Sequence, residues 1–193
     1  MALQFAILTA LTDRESSGFE LAKRFDRVYG YFWSASHQQI YKELDRLHAA
    51  GLVAEVPQPE RPGRGQPKHF AITPAGTAAL REWIGEIDEP TQPRESLMVK
   101  VRASAEVGDI EGLRAVIDHH LTVHASSLGK YADIEKRDFP GADNGADALR
   151  HLVLKAGIAM ERVWADWCRE ALDTLDALQA RTTADVETHT TPH

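Results

Sequence analysis

His37, Gln38, Lys42 and Arg46 recur on one side of a short segment whose other side carries Ile40, Leu44 and Leu47. Amides and cations at that spacing can accept and donate to base edges or pair with phosphate oxygens, which is recognition chemistry rather than bond making. A second cationic group lies further on, where Arg61 and Arg64 sit inside the proline- and glycine-rich run Pro57–Pro67 with Lys68 just beyond it. Taken alone, either group is also what a solvated helix face and a solubilising loop would carry. His119, His120 and His124 could suggest a metal, because residues four apart share a helix face, but no carboxylate completes a convincing set. The sequence reading therefore assigns no metal and no cofactor. Gly-x-Ser-x-Gly, a phosphate-binding glycine loop and His-Glu-x-x-His are all missing from the sequence, and Gly63-x-Gly65 lacks a strand-to-helix context, so catalysis is not expected.

These groups have to be positioned by a chain of 193 residues, enough for one or two domains with a buried core. Apolar residues make up 43% and charged residues 26%, the balance of a globular protein. The apolar stretches are too short for a membrane span, and the first residues do not read as a secretory leader. The single cysteine, Cys168, cannot pair within the chain and fits a reducing cytoplasm. The formal net charge of −7 argues at first against a nucleic-acid partner, yet it is unevenly spread. Residues 91–193 carry 12 basic and 17 acidic side chains, whereas residues 14–81 carry 10 basic and 7 acidic, a local surplus of three positive charges. Screening limits electrostatic reach to about 8–10 Å, so such a face can bind anions on an acidic molecule.

Periodicity predicts the elements. Leu3, Ile7, Leu8 and Leu11 mark a first helix, and Ser17-Gly18-Phe19-Glu20 has the form of a capping box opening a second, with Leu21, Ala22, Phe25, Val28 and Tyr29 on one face. Ser36-His37-Gln38-Gln39 repeats that pattern ahead of a third helix, which Gly51 stops. The period then changes, and Leu52–Val56 and Lys68–Ile72 read as two strands of a hairpin with a basic tip. Thr73-Pro74 caps a fourth helix lined by Gly76, Leu80, Trp83, Ile84 and Ile87. This order describes a winged helix-turn-helix, whose third helix enters the major groove while the hairpin reaches phosphate or the minor groove.

Pro90 and Pro93 interrupt all periodicity and mark a boundary, dividing the chain into a DNA-binding domain at 1–90 and a helical domain at 91–181. The second domain reads as a short helix with Leu97 and Val101 inward, a long one with Leu113, Ile117, Leu121, His124, Leu128 and Tyr131 in a stripe, a turn at Pro140-Gly141, and a last helix from about Gly145 to Ala180. In that last helix Leu149, Val153, Ala156, Met160, Val163 and Trp167 repeat at alternating spacings of four and three, a coiled-coil-like seam. Beside it an inner stripe of Leu152, Trp164, Cys168, Leu172 and Leu175 makes the apolar arc too wide for one neighbour, so a second copy of the chain is the economical partner and a two-fold homodimer is expected. His124, within the apolar stripe, reads as a hydrogen-bonded imidazole or as a polar handle in an effector pocket to which Trp164 would add an aromatic wall. Residues 182–193 are polar and aperiodic, and are expected to form a disordered tail.

Gly18-Phe19-Glu20-Leu21, Phe32-Trp33, Ser36 with Gln39-Ile40-Tyr41 and Leu44, Leu47 with Ala50-Gly51-Leu52, Gly63-Arg64 and Ile72-Thr73-Pro74-Ala75-Gly76 together resemble the PadR family of bacterial transcriptional regulators. The resemblance is dense over residues 3–87, continues through Arg94-Glu95 and Leu97–Lys100, and extends to the long C-terminal helices of the larger members. It implies a mainly α fold: an N-terminal winged helix-turn-helix with a two-stranded wing and a C-terminal helical dimerisation domain. It further implies a homodimeric regulator, usually a repressor, bound to a palindromic operator in double-stranded DNA and released by a small aromatic, phenolic molecule. On this resemblance Ser36, Gln39 and Tyr41 join the recognition helix, with Tyr41 donating to a phosphate, and Arg64 and Lys68 lie on the wing. Ser17 stands where the family often has histidine, and Gly65-Gln66 replaces a more basic stretch of wing. The other class compatible with an acidic chain is a winged-helix module that binds protein and not DNA.

Overall fold

The structure is a computed structural model that describes residues 2–25, 35–57, 67–90, 95–141 and 145–189, with side chains up to residue 181. The chain divides into two compact units, Met1–Pro90 and Thr91–His193.

In the first unit α1 (Ala2–Asp13) is followed by β1 (Ser16–Ser17), α2 (Gly18–Arg24), α3 (His37–Ala49), β2 (Val53–Val56), β3 (His69–Ile72) and α4 (Pro74–Ile84). Ser17 and Ser36 both complete the reciprocal capping boxes their spacing predicts, satisfying backbone donors that the first helical turn cannot pair. At the other end of α3, Gly51 takes φ 69°, which only glycine adopts cheaply. The Leu52 N–H then reaches back to the Leu47 carbonyl at 2.9 Å and the Gly51 N–H to that of His48 at 3.0 Å, closing the helix. One face each of α1, α2, α3, β2 and β3 meets in a common core of Ile7, Leu8, Leu11, Leu21, Phe25, Ile40, Leu44, Leu47, Val53 and Phe70. Burying an aliphatic side chain of this size stabilises by about 1.5–3 kcal/mol, so α3 is held by its apolar face and its polar face is left outward.

The fold class agrees with the sequence expectation, and two details correct it. The sheet has three antiparallel strands in the order β1-β3-β2, with Ser16 opposite Phe70 and Val53 opposite Ile72. Two serines have neither the length nor the β-branching that marks a strand, and only pairing with β3 makes them one. On α4, Gly76 and Leu80 are buried and Trp83 stacks on Phe5 at 4.4 Å, but the helix ends at Ile84, leaving Ile84 71% and Ile87 96% exposed. Val28, Tyr29, Phe32 and Trp33 lie outside the described residues.

The second unit contains α5 (Ser96–Val107), α6 (Ile110–Asp138) and α7 (Gly145–His189). Glu95 caps α5, accepting from the Leu97 N–H at 3.1 Å, and Gly108 at φ 76° turns the chain into α6, whose N-cap is Asp109. α6 and α7 form an antiparallel pair around Leu97, Leu113, Ile117, Cys168 and Leu175. Cross-helix polar pairs mark the register: Arg114 with Asp176, His124 Nδ1 with Glu161 at 2.7 Å, and Glu135 with His151 Nε2 at 2.7 Å. Burial raises the Cys168 thiol pKa, as expected of a packing residue. The backbone of α7 stays helical to His189, where the sequence predicts an aperiodic tail from residue 182. Leu152, expected on the inner stripe, faces out; Leu154 and Ile158 are buried instead. At 3.6 residues per turn Leu154 is close to four turns from Cys168, whereas Leu152 is about half a turn out of phase.

Candidate nucleic-acid interface

The outward face of α3 is built from its cap upward. The Ser36 N–H donates to Gln39 Oε1 at 2.8 Å, and the Gln39 N–H donates to Ser36 Oγ at 3.3 Å, which fixes the direction in which the first turn leaves the loop. His37 and Gln38 are exposed on that turn, next to backbone donors and the positive end of the helix dipole. Lys42 follows one turn on, exposed and with no ion pair among the described residues. Arg46 is exposed too, but its guanidinium is held by the half-buried Glu43 at 3.0 Å. That pair answers what the acidic residues of this helix do: Glu43 is drawn to the flank by Arg46, and Asp45 is exposed.

Tyr41 is half exposed, and its ring lies over Gly18, where any side chain would collide with it. The glycine thus seats the tyrosine and ties the start of α2 to α3. Neighbouring charge is organised as well. Lys23 lies 4.5 Å above the exposed Phe19 ring, and Arg24 donates to the Ala10 carbonyl at 2.8 Å and to Asp13 at 2.9 Å. The Ser17 backbone N–H, and secondarily its hydroxyl, hold the Glu20 carboxyl below its ordinary range, so Glu20 stays an anion facing His69 at 3.6 Å. At the root of the wing Lys68 pairs with Glu55 at 2.9 Å, and that bond keeps its ammonium protonated to higher pH. Arg61 and Arg64 lie outside the described residues.

The sequence-predicted residues thus fall into two groups. His37, Gln38, Tyr41 and Lys42 share the exposed side of one helix, with Arg46 at its far end in an ion pair. Ser36 and Gln39 serve the cap, leaving the Gln39 amide N–H₂ as its remaining donor group. Sequence reasoning missed the Gly18 seat and the Glu55 partner of Lys68, both products of tertiary contact.

On α7, Leu149, Val153, Ala156, Met160 and Val163 are exposed in the single chain, with Met160 at 65% and Val163 at 67%. Trp167, placed on the same seam by spacing, is half-buried and packs partly against its own unit's core. His124 is half-buried, bonded to Glu161 and stacked on Trp164 at 5.6 Å. Among the described residues no group of three metal-ligating side chains gathers, and no helix is long and apolar enough to cross a membrane.

A capped, outward-facing polar helix beside a three-stranded wing, followed by a long-helix unit, defines a winged-helix regulator. Residues 7–82 match the transcriptional regulator PadR-like family, and residues 93–176 match the C-terminal domain described as virulence activator alpha. A probable transcriptional regulator of Mycobacterium tuberculosis is 38% identical over 187 residues, covering 91% of this chain and 98% of the relative. The chain belongs to the PadR-like family of transcriptional regulators. Among solved structures, the virulence activator AphA of Vibrio cholerae is 29% identical with a TM-score of 0.74, covering 91% of this chain and 99% of that one. PadR of Bacillus subtilis in complex with operator DNA shares the fold at a TM-score of 0.76 and 24% identity, covering 91% and 99%. The same protein has also been solved with p-coumaric acid, at a TM-score of 0.73.

Proposed function

We propose that this regulator binds a palindromic operator in duplex DNA as a homodimer, represses from it, and is released by a small phenolic molecule. Residues 1–90 form the reading unit, and residues 91–181 hold the dimer and bind the effector. The observation that carries this reading is the outward polar face of α3, delivered by a buried Ile40-Leu44-Leu47 face and a satisfied cap. In the assignment, His37, Gln38 and Gln39 read base edges, while Tyr41, Lys42, Arg46, Arg61, Arg64 and Lys68 meet phosphate. Leu149, Val153, Ala156, Met160 and Val163 of α7 face the second copy. The operator and p-coumaric acid complexes of Bacillus PadR, which has the same fold, support both partner classes. Two-fold symmetry sets the half-sites about one helical turn, or a multiple of it, apart.

Selecting fragments of the source genome on the purified protein tests this directly. Inverted repeats upstream of a small set of genes, with higher transcription when the regulator is deleted, are the expected result. Sequence-independent recovery rejects operator reading, and lower transcription on deletion makes the protein an activator.

A further inference from the structure

The second unit holds a cavity of about 280 Å³ lined by Glu95, His119, His120, Val123, His124 and Trp164. Its volume is just below the usual range for ligand pockets, about 300–1,000 Å³, which suits one ring with a short arm. Its walls are unusual in their charge. Among the described residues no lysine or arginine lines it, while Glu95 does and Glu161 stands behind His124.

Each wall group limits the guest. Trp164 and the imidazoles supply aromatic surface, and His124 lies nearly parallel to the indole at 11°. The contact of His124 Nδ1 with the Glu161 carboxylate, which can only accept, puts a proton on Nδ1 and fixes the ring in the wall. Glu95 accepts one N–H, that of Leu97 at 3.1 Å, which uses only part of a carboxylate's capacity. The pocket thus sets the Glu95 carboxylate beside imidazole and indole rings. A carboxylate arm would be brought against Glu95, with no lysine or arginine among the described lining residues to answer it; an ammonium would find a charge-assisted partner.

We propose that this cavity is a binding site for a single-ring aromatic amine, held by its ring against Trp164 and by its ammonium at Glu95. This rests on the reading of the second unit as the effector-binding one and narrows it: the phenolic ring is kept, and the arm is cationic rather than acidic.

Three probes that share a 4-hydroxyphenyl ring test it by calorimetry on the full-length protein at neutral pH without DNA: tyramine, its neutral analogue tyrosol, and 4-hydroxyphenylacetate. Tyramine is expected to bind about tenfold more tightly than the acid, with tyrosol between them. Glu95→Gln keeps an oxygen to cap α5 and should reduce the preference for the amine over tyrosol, and Trp164→Phe should weaken all three. An acid that binds as tightly as the amine overturns the proposal, as does the absence of binding by every probe. The genomic selection is run without any amine, so failure of the pocket assignment leaves operator reading standing, and failure to select DNA leaves the binding series intact.

Discussion

The two units solve the burial problem in opposite ways. The first closes over most of its described apolar residues, Ile84 and Ile87 apart: α1, α2, α3 and the sheet each give one face to a core whose members are almost wholly buried. The second buries a thinner core and leaves Leu149, Leu152, Val153, Met160 and Val163 on the outside of its longest helix. On the proposed reading the first unit closes its core within one chain, whereas the second is completed by a second copy. The contrast teaches where each task lies. On the proposed reading, DNA is read by polar groups on a self-sufficient scaffold, and assembly uses apolar groups that their own scaffold does not cover.

The sharpest way to break this contrast is to charge the uncovered row. Val163→Glu is expected to give monomers and to lower operator affinity by about a hundredfold or more, since two linked half-sites lose their mutual reinforcement. Sedimentation and operator titration measure both; a dimer that survives the change removes α7 from the interface. The converse change is Leu44→Ala in the closed core, expected to cost about 2–5 kcal/mol in denaturant unfolding of the first unit while self-association persists. If both fall together, the units are not independent. A smaller effect is expected from Lys42→Ala: several-fold weaker operator binding with a salt slope reduced by about one, and unchanged unfolding. An unaltered slope would remove Lys42 from the phosphate contacts.

The smallest effect is electrostatic. Glu20 is held below its ordinary value of 4.5 by the Ser17 N–H, so the stability it adds is fully present above that pH and is lost as pH falls through its lower folded value. Glu20→Gln should therefore flatten the acid limb of the first unit's stability curve, read by unfolding from neutral pH down through the carboxylate range. Equal acid sensitivity in both proteins would show that the capping box does not set it.

What was legible in the sequence was local. The capping boxes at Ser17 and Ser36, the Gly51 stop and the Thr73-Pro74 start are contacts between residues three to five apart, and each appears where its spacing puts it. The face of α3 followed from the same periodicity. Contacts between distant segments were not legible: β1 exists only through β3, Tyr41 rests on Gly18 from another helix, and the partner of His124 is Glu161, 37 residues away. On α7 the four-three spacing put Leu149, Val153, Ala156, Met160 and Val163 on one face, and all five are exposed, but the inner face drifted out of phase between Leu152 and Cys168. Small errors of angle accumulate along a helix of 45 residues.

Thr73 connects three segments at once. Its N–H donates to the Leu52 carbonyl at 3.0 Å, its hydroxyl reaches the Gly51 carbonyl at 2.8 Å, and that hydroxyl accepts from the Gly76 N–H at 3.0 Å. Gly76 lies so close to the Leu52 carbonyl that no side chain could separate them. These contacts tie the end of α3, the root of the wing and the start of α4 into one body. On the proposed reading such a body cannot adapt its grip to an unwelcoming groove, so the duplex must deform to meet it. Flexible pyrimidine–purine steps should then outrank rigid A-tracts even at base pairs that no side chain reaches.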